Sequence, residues 1–181
     1  MKIKSVVFLM SALIVFSGCA GSAYKKAREA NSIRAYKQFL VKYPDSEFSS
    51  QAKEKIEELY WQQTVRQNSI PAYKAYLKRY GAGKYANDAK AKIEDIVWNG
   101  SKSIKAYKSY LQNYPEGRYV KDAHMKIEDM TWQASKTMAH LKTYLKLYPA
   151  GKYVKQAEMK IEDMVWAGSK KSNKIEDYES Y

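Results

Sequence analysis

The sequence predicts an all-α fold: a helical-hairpin solenoid of about four repeats of 34–37 residues, followed by a C-terminal single helix. Three observations predict it. First, "KIEELYW" (55–61), "KIEDIVW" (92–98), "KIEDMTW" (126–132) and "KIEDMVW" (160–166) repeat one word, with Ile56, Ile93, Ile127 and Ile161 spaced by 37, 34 and 34 residues. A fixed period of about 20–50 residues marks a stacked repeat array. Second, apolar residues within each repeat return at steps of three and four, which is one face of an α-helix. Third, no linker rich in proline or glycine interrupts the repeats, so residues 24–181 read as one continuous domain.

The chain of 181 residues opens with Lys2 and Lys4, an apolar run from Val6 to Phe16, then Ser17, Gly18 and Cys19. A basic start, a short apolar stretch and small residues at its end describe a secretory signal over residues 1–18. The apolar run is too short to span a bilayer, which needs roughly 20 residues. Cys19 is the single cysteine, so no internal disulfide exists. The segment "FSGCAGS" resembles a bacterial lipobox. That resemblance implies acylation of Cys19, with palmitate among its chains, and makes residues 19–23 a lipidated tether. Ala20 stands where an aspartate would retain such a protein at the inner membrane, so the resemblance implies a periplasm-facing anchor in the outer membrane of the cell envelope. Loss of residues 1–18 takes two lysines from a formal charge of +13 and leaves about +11.

Four units follow, 24–60, 61–97, 98–131 and 132–165, with a partial fifth at 166–181. In unit three, Ile104, Tyr107, Leu111 and Tyr114 lie on one helical face, Ser103 is the expected N-cap, and Pro115 blocks continuation. Pro71 sits near the same helix start in unit two, where a first turn tolerates it. Gly83, Gly117 and Gly151, with Ser46 in unit one, are the expected N-caps of the second helices. There Tyr119, Ala123, Ile127 and Met130 form one apolar stripe, and Met125 with Trp132 a second, as stacking on a neighbour requires. Trp61, Trp98, Trp132 and Trp166 recur at the junctions, with Tyr24 in the same slot, and are expected to pack one unit on the next. Truncating such a ring costs ~3–5 kcal/mol. Units one and two carry three extra residues, in "ANSI" and "RQNSI", expected to lengthen the preceding helix. In the last unit Tyr178 and Tyr181 hold first-helix core slots, which leaves either a capping helix or a shortened repeat.

The basic charge favours anionic partners. Lys37, Lys74, Lys108 and Lys142 recur in every first helix, directly after a core position. Each second helix carries an acidic pair: Glu57–Glu58, Glu94–Asp95, Glu128–Asp129 and Glu162–Asp163. Lys55, Lys92, Lys126 and Lys160 can meet the second acid at i,i+3, each pair contributing about 0.2–0.5 kcal/mol. Both stripes read either as solvated faces or as the wall of a basic groove. Neighbouring carboxylates on a helix point about 100° apart and do not converge on a substrate. His124 and His140 lack a second histidine at metal-ligand spacing, and no phosphate-cradling loop or nucleophile motif occurs. No catalytic, cofactor or metal site is therefore expected. Aromatic residues at core spacing, together with export, argue against nucleic acid as a partner.

The period of ~34 residues is that of tetratricopeptide repeats. The word "YL..YP.G.Y...A...IED", at 110–129 and 144–163, resembles the repeats of outer-membrane assembly lipoproteins of the BamD (ComL) type, and those of the periplasmic coordinator of the Tol–Pal system. This resemblance implies a tetratricopeptide-like groove whose concave side is lined by the first helices, so that the lysine column would face a protein partner with acidic or extended segments. It further implies a scaffold that assists outer-membrane protein assembly. The alternative is an envelope-surface binder that uses the basic face on anionic lipid, lipopolysaccharide or cell wall, with the acyl anchor and basic patch acting together.

Overall fold

A computed structural model of the chain describes residues 19–172. The signal segment 1–18, Tyr178 and Tyr181 lie outside the described residues. The described residues form nine helices and no strand, so the fold is all-α: α1 over 19–30, α2 (Ile33–Lys42), α3 (Ser49–Gln67), α4 (Ile70–Arg79), α5 (Ala86–Gly100), α6 (Ile104–Asn113), α7 (Val120–Ala134), α8 (Met138–Leu147) and α9 (Val154–Ser172). They divide into two compact units, one ending at Ile96 and one beginning at Val97.

The short helices start where hydroxyls are placed to start them. Ser32, Ser69, Ser103 and Thr137 each accept a bond from the backbone N–H three residues on, at 3.2–3.3 Å. Such caps stabilise by about 1 kcal/mol each. Each short helix ends on a tyrosine, Tyr43, Tyr80, Tyr114 or Tyr148, whose N–H bonds the carbonyl four residues back. Pro44, Pro115 and Pro149 then follow and forbid another turn.

In the first unit, Tyr36 and Phe39 of α2 pack on Tyr24 and Ala27 of α1 and on Ala52 and Ile56 of α3. In the second, Tyr107 and Tyr110 of α6 meet Ala123 and Ile127 of α7, and Leu141 and Tyr144 of α8 meet Ala157 of α9. Fully buried alanines at the contacts let the helices approach closely and seat large rings opposite. The expected face of α6 packs on this core, with Tyr107 buried and Ile104, Leu111 and Tyr114 flanking it, and the structure adds Tyr110, which is fully buried. A tyrosine reaches this depth because its hydroxyl finds partners there, described below.

The tryptophans make a recurring arrangement. Trp61 stacks on Tyr85 (5.1 Å, 2°), Trp98 on Tyr119 (4.9 Å, 4°) and Trp132 on Tyr153 (5.0 Å, 5°). Each also meets a second tyrosine edge-on, Tyr76, Tyr110 or Tyr144. Tyr24 stacks on Phe48 in the same way (4.9 Å, 13°). Trp166 is 41% exposed, with the Lys170 ammonium 5.8 Å from its ring centre.

Three expectations are corrected. Met125 is 47% exposed rather than packed, because the second apolar stripe is carried by the tryptophan alone. Ser46 and the glycines do not cap the second helices. α3 and α7 begin three residues later, behind Phe48 and Tyr119, neither of which makes a side-chain cap bond. Ser46, Gly83, Gly117 and Gly151 instead form a single turn whose carbonyl accepts from the first helical N–H at 3.0–3.3 Å. Finally, residues 19–23, expected as a tether, are helical, and Ala20 is buried.

The three extra residues do lengthen a helix: α3 has 19 residues, against 15 for α5 and α7. Asn31 and Asn68, at φ 38° and 40°, end α1 and α3 in the left-handed region, which asparagine tolerates better than most residues.

Trp132→Ala removes one stacked and one edge-on ring from a half-buried site. It is expected to destabilise the second unit by about 3 kcal/mol, read as a lower midpoint in denaturant unfolding followed by circular dichroism. An unchanged midpoint would remove the packing role of this ring.

Candidate functional site

The structure assigns the acidic pairs an internal task. Tyr76 donates its hydroxyl hydrogen to Glu57 Oε1 at 2.6 Å, and Tyr144 does the same to Glu128 Oε1 at 2.7 Å. Each phenol oxygen in turn accepts a backbone N–H nine residues on, from Tyr85 at 3.4 Å and from Tyr153 at 3.1 Å; Tyr119 donates likewise to Tyr110 at 3.0 Å. Glu128 Oε1 also accepts the Lys152 N–H at 2.6 Å. The carboxylate of one repeat therefore binds the turn between the two helices of the next. Asp129 adds a bond from the Tyr153 hydroxyl at 2.7 Å and one from Lys152 Nζ at 3.4 Å. Lys55 meets Glu58 at 2.7 Å, as the i,i+3 spacing predicts.

The glycines fit this relay. A Cβ at Gly151 would lie 2.5 Å from Glu128 Oε1 and 2.7 Å from both the Tyr144 hydroxyl and Tyr148 Cβ. One at Gly83 would meet Glu57 Oε1 closer still. Neither glycine has a positive φ. Closeness to the carboxylate, not backbone freedom, is what excludes a side chain.

Burial first, and then the bond to Glu128, pushes the Tyr144 phenol up from 10.0 to about 12; Tyr76 is raised for the same two causes. The bond from Tyr153 holds the Asp129 carboxyl below its ordinary value of 3.8. Tyr144 thus contributes stability that is complete below pH 10 and lost as pH rises through about 12. Asp129 contributes stability present above its ordinary value and lost as pH falls through its lowered one.

The expected partner lysines lie outside this network. Lys37, Lys74, Lys108 and Lys142 are all exposed. Among the described residues Lys74, Lys108 and Lys142 make no hydrogen bond or ion pair. Lys37 donates to the Tyr60 hydroxyl at 3.2 Å, and Arg79 Nη1 donates to the same oxygen at 2.8 Å. Sequence reasoning missed both Tyr60 and Arg79, because each stands at a slot that varies from repeat to repeat. Beside them a cleft of about 560 Å³ runs between α3 and α4. A second cleft, about 540 Å³, carries both signs of charge through Glu54, Glu58, Lys55 and Lys84.

Cys19 is exposed at the first described position. Among the described residues no helix is long and apolar enough to cross a membrane, and no group of three or more His, Cys, Asp or Glu could hold a metal ion. His124 and His140 are exposed. Comparison with protein-family models gives no match, and comparison with curated proteins gives none.

Two outcomes are expected from the relay. In an alkaline titration read by tyrosinate absorbance, a late class near pH 12 loses one member in Tyr144→Phe. All tyrosines titrating together near pH 10 in a folded chain would contradict the buried phenol. Gly151→Ala, despite a gain of about 0.4–1 kcal/mol from a stiffer unfolded chain, is expected to cost about 1–2 kcal/mol net, since overpacking costs about 1–3. Equilibrium unfolding measures it, and a stabilised variant would refute the close approach.

Proposed function

We propose that the chain is a tetratricopeptide-like solenoid, lipid-anchored at Cys19, that faces the periplasm and grips a protein partner by acidic or extended segments. One observation carries the reading. Glu57 and Glu128 bind the buried tyrosine hydroxyl of the following repeat, and Glu128 and Asp129 bind its turn, while Lys74, Lys108 and Lys142 remain exposed without a partner among the described residues. These three acids are half-buried and engaged, whereas the repeated lysines stay exposed. Exposed, unpaired lysines suit long-range steering and reversible capture of an anionic segment.

The anchor is supported by the basic start, the apolar run Val6–Phe16 and the small residues before Cys19. Assistance in outer-membrane protein assembly is the task that the resemblance to BamD-type lipoproteins supplies. A scaffold of this kind needs neither cofactor nor metal.

The test is crosslinking in intact cells followed by mass spectrometry, with recovery of one stoichiometric protein expected. Replacing Lys74, Lys108 and Lys142 together by glutamine is expected to weaken its capture and flatten the salt dependence. Undiminished capture by the triple variant would remove the lysine face from the reading. Sedimentation with anionic vesicles or cell wall in the absence of other proteins would favour the envelope-surface alternative.

A further inference from the structure

Repeats constrain most positions, so the informative residues are those where a repeat departs from its siblings. Tyr60 is such a residue: the matching positions hold Val97, Thr131 and Val165. Arg79 is another, with Lys42, Asn113 and Leu147 at its matching positions. In the first unit the two meet. The Arg79 guanidinium carbon lies 4.3 Å from the Tyr60 ring centre, and the Lys37 ammonium lies 5.5 Å from the same centre. Both cations donate to one phenol oxygen, at 2.8 and 3.2 Å.

That oxygen has two lone pairs, and the two donors occupy them. What remains is a set of donors: the phenol hydrogen, two ammonium hydrogens, and the rest of the guanidinium fork. Neither cation meets a carboxylate among the described residues. Two positive groups are drawn within about 6 Å of each other, and their repulsion is relieved by an anion between them.

We propose that the α2–α3–α4 face of the first unit recognises an acidic peptide segment, its carboxylates held by Lys37 and Arg79 around the Tyr60 ring. The proposal rests on the scaffold reading and names the place of capture. The surroundings favour an extended peptide over a lipid headgroup. The cleft between α3 and α4 is lined by the amides of Gln63 and Gln67 and by the small Ala72 and Ala75. Amides pair with both N–H and C=O of a main chain, and alanines leave room for it. On the other side of Lys37, Val41 is 84% exposed and can receive an aliphatic side chain. A planar carboxylate also matches the guanidinium fork, two bonds to one group.

The experiment uses the full chain and a fluorescein-labelled ten-residue peptide of alternating Glu and Leu, with a Gln–Leu peptide as control, read by anisotropy. Binding of the acidic peptide alone is expected, weakened at least about tenfold by Arg79→Gln or by Lys37→Gln, since charged hydrogen bonds contribute about 1.5–3 kcal/mol. Tyr60→Phe is expected to weaken it less, and Lys155→Gln, at an exposed position of α9 outside the lysine face, not at all. Equal losses from Lys155→Gln and Lys37→Gln would overturn the proposal in favour of a diffuse charge effect. No peptide binding, with Arg79-dependent binding of inorganic phosphate or of phosphatidylglycerol vesicles, would overturn it in favour of a phosphate ligand. Partner capture in cells that is lost in the Lys74, Lys108 and Lys142 triple variant but intact in Arg79→Gln would sink this site while leaving the scaffold reading standing. All these side chains are exposed or half-buried, and two independent cation variants keep the test open if one folds poorly.

Discussion

The packing depends on a buried hydroxyl. Tyr76, Tyr110 and Tyr144 are among the least exposed residues of the chain, and a phenol oxygen without partners at that depth would cost about 1–3 kcal/mol. Each accepts a backbone N–H from the turn leading into the next helix, and two of them donate to the glutamate of the repeat before. One atom thereby joins a helix, a turn and a neighbouring repeat. The glycine at the turn, the tryptophan edge-on to the tyrosine ring and the acid in the repeated heptamer are all consequences of that placement.

The first repeat shows how tightly these residues depend on one another. Ala20 occupies the slot that holds Glu57, Glu94, Glu128 and Glu162 in later repeats. With no carboxylate there, the tyrosine becomes Phe39, the glycine becomes Ser46 and the stacked tyrosine becomes Phe48. Ser49 bonds the Tyr43 carbonyl and the Ser46 hydroxyl and satisfies the turn locally. Four residues change together because one partner is missing. Adaptation of this kind marks an energetic unit more clearly than repetition does.

The all-α class and the helix starts were legible in the apolar steps and the hydroxyl caps, which are local signals. The tryptophan stacks were legible as packing because the ring recurs at every junction. What escaped were the polar contacts between repeats. Glu57 and Glu128 look like a solvated stripe when only their own helix is considered, and Gly83 and Gly151 look like caps. The joint change of Ala20, Phe39, Ser46 and Phe48 was present in the letters and would have revealed the relay. Leu111 was placed ahead of Tyr110 in the core because apolar periodicity cannot credit a tyrosine whose hydroxyl has two partners waiting inside. Tyr60 and Arg79 were invisible for the opposite reason, since a search for repetition discards what occurs once.

The same division bears on where recognition sits. A position copied in every repeat is constrained by stacking, so charge there is shared with the needs of the fold. The acids illustrate this: Glu128 and Asp129 together accept bonds from Tyr144, Lys152 and Tyr153, which commits one oxygen of each to the fold. Of the first-helix lysines, Lys74, Lys108 and Lys142 answer to no such contact, yet spread over the repeats they discriminate little between anionic surfaces. Specificity needs a place where geometry as well as charge is fixed, because a guanidinium held against a ring loses less freedom on binding than a lone lysine. Within the first unit, Arg79 on Tyr60 is held in that way from two sides, by the ring face and by the phenol oxygen. On the proposed reading the repeats provide attraction along their exposed helices, and the unrepeated pair provides the fixed point at which an acidic segment is read.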